Sequence, residues 1–158
     1  MAEPGGLRPG EEGLAITRVF EAPRETVWLE WTTPEAFADW YGGTASEIPV
    51  DTVSMDVRPG GTWSATMYAG PERREIHWEG EFLEVEPPER LVFNVTDRPG
   101  DEERSRDRVT VVLIELGEGR TEMGMTQTGG GLPPEGYEAA KRGWGSFFDR
   151  MDSRLTEA

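Results

Sequence analysis

His77 is the single histidine of this 158-residue chain, and cysteine is absent, so the side chains that most often carry acid–base, thiol or metal chemistry are nearly missing. Strand alternation groups His77 with Glu79 and Glu81, opposite Trp78 and Phe82, which reads as a solvated imidazole. One imidazole cannot build the two- or three-histidine zinc site, and no carboxylate cluster stands beside it at helical spacing. We therefore expect no catalytic metal and no cofactor. Nucleophile signatures are missing too. There is no Gly-x-Ser-x-Gly elbow, and Gly145-Ser146 falls inside a helical stretch rather than on a strand-to-helix turn. The glycine run at residues 129–131 leads into Leu132, Pro133 and Pro134 instead of a lysine, so it reads as a hinge before a helix and not as a phosphate loop.

What remains is apolar and aromatic. An inward set would comprise Trp63, Met67, Trp78, Phe82, Phe93, Met123 and Met125 from strands, facing Tyr137, Trp144, Phe147, Phe148 and Met151 from a helix. At each single position space-filling is the plainer role, because aromatic and methionine stripes usually make core. If the same set lines a cavity, its soft side chains suit varied apolar ligands, with Asn94, Gln127 and Tyr137 available to orient one. None of these carries a catalytic role in this reading. An enzyme of the cyclase or dehydratase kind would need an acid or base in the cavity, for which Asp51, Asp56 and Glu84 are the candidates.

These residues must be positioned by a series of strands closed by one long helix. Tyr137, Ala140, Trp144, Phe147, Phe148, Met151 and Leu155 recur at helical spacing, and such a stripe needs a broad apolar surface beneath it. Residues 14–21 alternate as a first strand. Pro23 fits a first helical position, and Val27, Trp28, Trp31, Phe37 and Trp40 make a helical stripe that Pro34 should split into two short helices. Tyr41, Gly42 and Gly43 end that region. Strands are then expected over residues 50–57, 62–69 and 76–86, and over 91–96, 108–116 and 121–128. Tight turns at residues 58–61 and 117–119 join neighbours, and Pro87-Pro88 breaks the series. Residues 97–107, mostly charged, read as a solvated loop, and residues 1–13, rich in glycine, proline and charge, as a disordered lead before one domain over 14–158.

Charge and composition narrow the partners. Sixteen basic residues against thirty-one acidic ones leave a net charge of −15, which repels phosphate backbones and anionic lipid, so neither nucleic acid nor a membrane is an expected partner. The lead has no apolar segment of the signal-peptide kind, which points to the cytoplasm.

The order of elements, with particular motifs, resembles the helix-grip, START-like (SRPBCC) superfamily. More narrowly, it is similar to the family related to the C-terminal domain of the activator of the heat-shock protein 90 ATPase. The likeness rests on residues 20–31 with Val27-Trp28, residues 34–40, Pro59-Gly60-Gly61 leading into Trp63, residues 84–91 around Pro87-Pro88-Glu89-Arg90, and Gly143-Trp144. It implies an α+β fold in which a curved antiparallel sheet of about six or seven strands wraps a long C-terminal helix, with a groove between them. Three functions follow as expectations: binding or sensing of a small hydrophobic molecule without catalysis; a cyclase-like enzyme; or regulation of the chaperone. The last depends in the namesake partly on a separate N-terminal domain, in place of which this sequence has only the short lead. A second copy could pair through a sheet edge or the helix.

Overall fold

The computed structural model describes residue 7, residues 12–97, residue 100 and residues 106–157. Most of the expected lead and most of the expected loop at 97–107 lie outside the described residues. The chain starts with strand β1 (Gly13–Phe20), followed by helices α1 (Arg24–Thr32) and α2 (Pro34–Trp40). Short strands β2 (Ser46–Glu47) and β3 (Ser54–Met55) lead into β4 (Thr62–Ala69), β5 (Arg74–Glu86), β6 (Arg90–Val95), β7 (Asp107–Gly117) and β8 (Arg120–Thr128). Helix α3 (Pro134–Glu157) ends the fold.

All strand pairs with a register are antiparallel, and short turns join β4 to β5, β5 to β6 and β7 to β8. The sheet runs β1-β8-β7-β6-β5-β4-β2, with β3 also on β4, so eight strands form where six or seven were expected. The one strand not expected, β2, has two residues and carries no periodic signal, while β3 is what remains of the strand expected over residues 50–57. β1 crosses to the far edge and pairs with β8. That placement lets α3 lie across the concave face.

Pro34 does split the helical region, occupying the first turn of α2, and Val27, Trp28, Trp31, Phe37 and Trp40 are all buried. Pro23 differs from expectation: it is the N-cap of α1, its carbonyl accepting from the Thr26 and Val27 amides. The expected strand over residues 50–57 is mostly not one. Val50–Thr52 is a 3-10 turn, and only Ser54–Met55 pairs with β4. Thr52 explains this, since its hydroxyl donates to the Pro49 carbonyl at 2.7 Å and accepts the Thr66 amide at 3.2 Å, replacing ladder bonds with side-chain ones.

The core is a run of touching rings. Trp31 lies 4.8 Å from Trp40, 5.9 Å from Phe148 and 6.0 Å from Trp144, centroid to centroid. Gly80 is required by this packing, because any Cβ there would collide with the Asn94 carbonyl and with Trp63 Nε1. Farther along α3, charge fastens the helix. Arg154 binds Glu30 through two hydrogen bonds of 2.8 and 3.2 Å and also meets Asp39, which takes Arg150 at 3.1 Å. Glu30 is buried, so this tie holds α3 to α1 and α2 in a partly dry setting.

Candidate functional site: a pocket between the last helix and the sheet

Ala140, Gly143, Trp144 and Phe147 fall on one side of α3, at the spacing that stacks side chains over successive turns. They cover a pocket of about 250 Å³ whose floor and rim come from Trp78 on β5, Val95 at the end of β6, Asp107 at the start of β7 and Gln127 on β8. Tyr41, Thr96, Asp97 and Leu132 complete it. Gly143 contributes by what it lacks. A Cβ there would meet nothing within 4 Å, so the helix backbone itself borders open space.

Several wall residues hold one another. The Trp144 indole Nε1–H donates to Gln127 Oε1 at 2.6 Å, fixing ring and amide together in a buried pair. Tyr41 follows α2, its amide bonded to the Phe37 carbonyl at 3.0 Å, and its ring lies 5.7 Å from both Trp78 and Trp144 and 5.1 Å from Phe147. Burial, with the charge of Asp97 added, pushes the Tyr41 hydroxyl far above its ordinary acidity range, so it stays protonated. Asp107 is buried at 9% exposure and pressed against Gly130, where any Cβ would strike its carboxylate. The glycine run read as a hinge is therefore fitted around an acid. The Trp78 Nε1–H is buried with no hydrogen-bond partner among the described residues.

The sequence-selected residues separate into two groups. Trp78, Gln127, Trp144 and Phe147 meet at the pocket. Trp63, Met67, Phe82, Phe93, Met123, Met125, Phe148 and Met151 lie deeper, each at most 3% exposed, in the packed core. The gap left among Trp31, Phe37, Met55, Trp63, Phe82 and Phe93 is about 10 Å³, no larger than one water and too small for a ligand. Tyr137 is buried one turn before the pocket, beside a separate depression of about 480 Å³ bordered by Leu14 and Lys141. Asn94 turns away: its Oδ1 accepts from the Glu81 amide at 3.0 Å and from Arg106 at 3.4 Å. The three candidate acids also stand elsewhere. Asp51, Asp56 and Glu84 are exposed, with Asp56 paired to Arg58 at 2.8 Å and Glu84 to Arg90 at 3.2 Å. His77 is exposed and contacts Glu75 and Thr66.

The residues that sequence reasoning missed are Tyr41, Asp97 and Asp107. Tyr41 was read only as a helix end, and the two acids were assigned to a solvated loop. Asp107 is instead the first residue of β7, paired with Val95 across the ladder. A signal existed: Val109, Val111 and Leu113 recur at every second position, and one more residue back along that period places Asp107 on their side. Among the described residues no group of three or more histidines or carboxylates is arranged to hold a metal ion.

The sequence pattern of the family described as Activator of Hsp90 ATPase homolog 1-like protein matches residues 21–156. Solved structures share the fold. A protein named AHSA1 from Silicibacter pomeroyi superposes with a TM-score of 0.79 at 20% identity, covering 92% of this chain and 98% of that one. A protein from Chromobacterium violaceum gives 0.77 at 23% identity, covering 90% and 96%. One from Nitrosomonas europaea gives 0.77 at 24%, covering 94% and 96%. No curated protein sequence matches this chain.

Proposed function

The chain belongs to the Activator of Hsp90 ATPase homolog 1-like family, and from that premise we propose that it is a non-catalytic module that binds a small, largely apolar molecule in the pocket between α3 and the sheet. The observation that carries this reading is the wall itself: four aromatic side chains, Tyr41, Trp78, Trp144 and Phe147, beside a buried indole donor, on Trp78, that has no acceptor among the described residues. A buried donor without an acceptor costs about 1–3 kcal/mol, and a ligand oxygen or nitrogen placed there recovers that cost. The volume sets the ligand's size. At about 250 Å³ the pocket lies just below the range of roughly 300–1,000 Å³ usual for drug-sized molecules, so it takes a compact ligand and not an acyl chain.

Native mass spectrometry of the purified protein, followed by denaturing extraction, tests the proposal. A reproducible small-molecule adduct that is lost in the Gly143→Leu variant supports it. Bare protein, together with no change in the Trp144 indole signal across a library of compact aromatic compounds, overturns it.

The family description favours a second reading, regulation of the chaperone ATPase. Its test is direct: stoichiometric association with the chaperone and stimulated ATP hydrolysis, neither of which the pocket reading requires.

A further inference from the structure

Three hydrogen-bond donors of the pocket lining, on Trp78, Tyr41 and Gln127, have no acceptor among the described residues. The Trp78 Nε1–H is buried. Gln127 gives its Oε1 to the Trp144 indole at 2.6 Å, so the other end of the same amide, the Nε2, is left without a partner. The Tyr41 hydroxyl bonds to none of the described residues either, and burial keeps its proton in place. Unlike the Trp78 nitrogen, the Tyr41 oxygen and the Gln127 amide nitrogen are not sealed off, and the opening that both residues border is this pocket. The two flank one ring. Tyr41 packs edge-on with its centroid 5.7 Å from that of Trp144, and Gln127 holds the nitrogen of the same indole.

We propose that the pocket selects a compact aromatic carbonyl compound, such as an aryl ketone, whose oxygen accepts from the Tyr41 hydroxyl and the Gln127 amide; this rests on the small-molecule reading above. A carbonyl oxygen has two lone pairs and can take two donors at once. The aromatic body suits Tyr41, Trp78, Trp144 and Phe147, since rings pack offset or edge to face against one another. A hydrocarbon of the same shape fills the space equally well, but it displaces water from both donors and leaves them unpaired in a dry site. For that reason a site built to bond a polar group rejects the analogue lacking it far more strongly than a greasy pocket rejects a missing methylene. All three donors are uncharged, which matches an uncharged oxygen. Tyr41 and Gln127 are then the residues that set specificity, and the rings supply most of the contact area.

The experiment compares acetophenone with α-methylstyrene, which has the same shape with a methylene in place of the oxygen, and with benzoate. Titrations are followed by the Trp78 and Trp144 indole N–H resonances, which also locate the binding. Acetophenone is expected to bind at least about tenfold more tightly than α-methylstyrene, a difference of roughly 1.4 kcal/mol, and more tightly than benzoate. Tyr41→Phe keeps the ring and removes only the hydroxyl, so it should cut the ketone's advantage several-fold, with folding checked by the denaturation midpoint. Gln127→Glu keeps an oxygen for the Trp144 indole but loses the amide donor, and should act in the same direction; if it does not fold, the Tyr41 variant decides. Equal affinity for ketone and hydrocarbon, or an advantage undiminished in Tyr41→Phe, overturns the inference while leaving the small-molecule reading in place. Tighter binding of benzoate than of acetophenone overturns the neutral carbonyl. If none of the three binds, the copurifying molecule decides: an aromatic carbonyl supports the inference, an adduct without a carbonyl oxygen overturns it alone, and no adduct overturns both readings together.

Discussion

The indole nitrogen of Trp144, in the middle of the last helix, donates a 2.6 Å hydrogen bond to the side-chain oxygen of Gln127 on the last strand, and both residues are buried. This one bond fixes the rotation of α3 over the sheet at the pocket. It also gives Gln127 a reason to be inside, since a buried amide without partners is destabilising.

Removing the ring therefore removes packing and leaves a cavity. Trp144→Ala is expected to destabilise the fold by about 3–5 kcal/mol, the usual range for deleting a large buried aromatic. Trp144→Phe keeps most of the volume but strands the Gln127 oxygen, at a cost of about 1–3 kcal/mol. Urea denaturation of both variants checks the order; a loss under about 1 kcal/mol for the alanine variant would mean the stripe is not core at this position.

Gly143→Leu should have the opposite profile. It replaces a mid-helix glycine, a gain of about 0.5–1 kcal/mol in helix propensity, and places its side chain in open pocket space. We expect equal or higher stability by denaturation and loss of small-molecule binding by titration. A destabilised variant that still binds would contradict the placement of the pocket.

Gly80→Ala should be among the least tolerated single-methyl changes. The added carbon would strike the Asn94 carbonyl, which is backbone and cannot rotate away, and Trp63 Nε1. A loss of about 1–3 kcal/mol or more is expected by thermal or chemical denaturation.

The ion-pair tie at the end of α3 predicts a pH dependence. Burial raises the Asp39 pKa, but the hydrogen bonds and charges of Arg150 and Arg154 outweigh this and hold it below its ordinary 3.8. A carboxyl depressed in the folded state contributes stability above that ordinary value and loses it as pH falls through the lower folded one. Asp39→Asn should thus be less stable than the parent near neutrality, and the two should converge as pH drops below 3.8. Denaturation midpoints measured from about pH 2.5 to about pH 7 test the convergence. Arg154→Ala, which leaves buried Glu30 without its two hydrogen bonds, should cost about 1.5–3 kcal/mol at neutral pH.

Much of this architecture is legible in the chain because its signals are local. The stripe from Tyr137 to Leu155 has a period that only a helix satisfies, and all its members except Ala140 and Phe147 are buried. Trp63, Ala65 and Met67 alternate against Ser64 and Thr66, and the sheet buries the first set. Pro34 cannot continue a helix from its interior but can open one, so it ends α1 and starts α2.

The site followed other rules. Tyr41, Trp78, Asp107 and Trp144 are separated by tens of residues, and no periodicity within one element could bring them together; the pairing of β1 with β8 and the lie of α3 across the sheet did so. The bulge between Phe82 and Glu84 works the same way, returning Val85 to the side of Phe82 and so breaking the alternation that sequence reading must assume. The chain by itself determined its elements, their order and their apolar faces, because those depend on neighbours a few residues away. Whether an apolar face is filled or open, and whether an acid such as Asp107 meets water or a pocket, depends on what another element places opposite it, and only the assembled tertiary structure decides that.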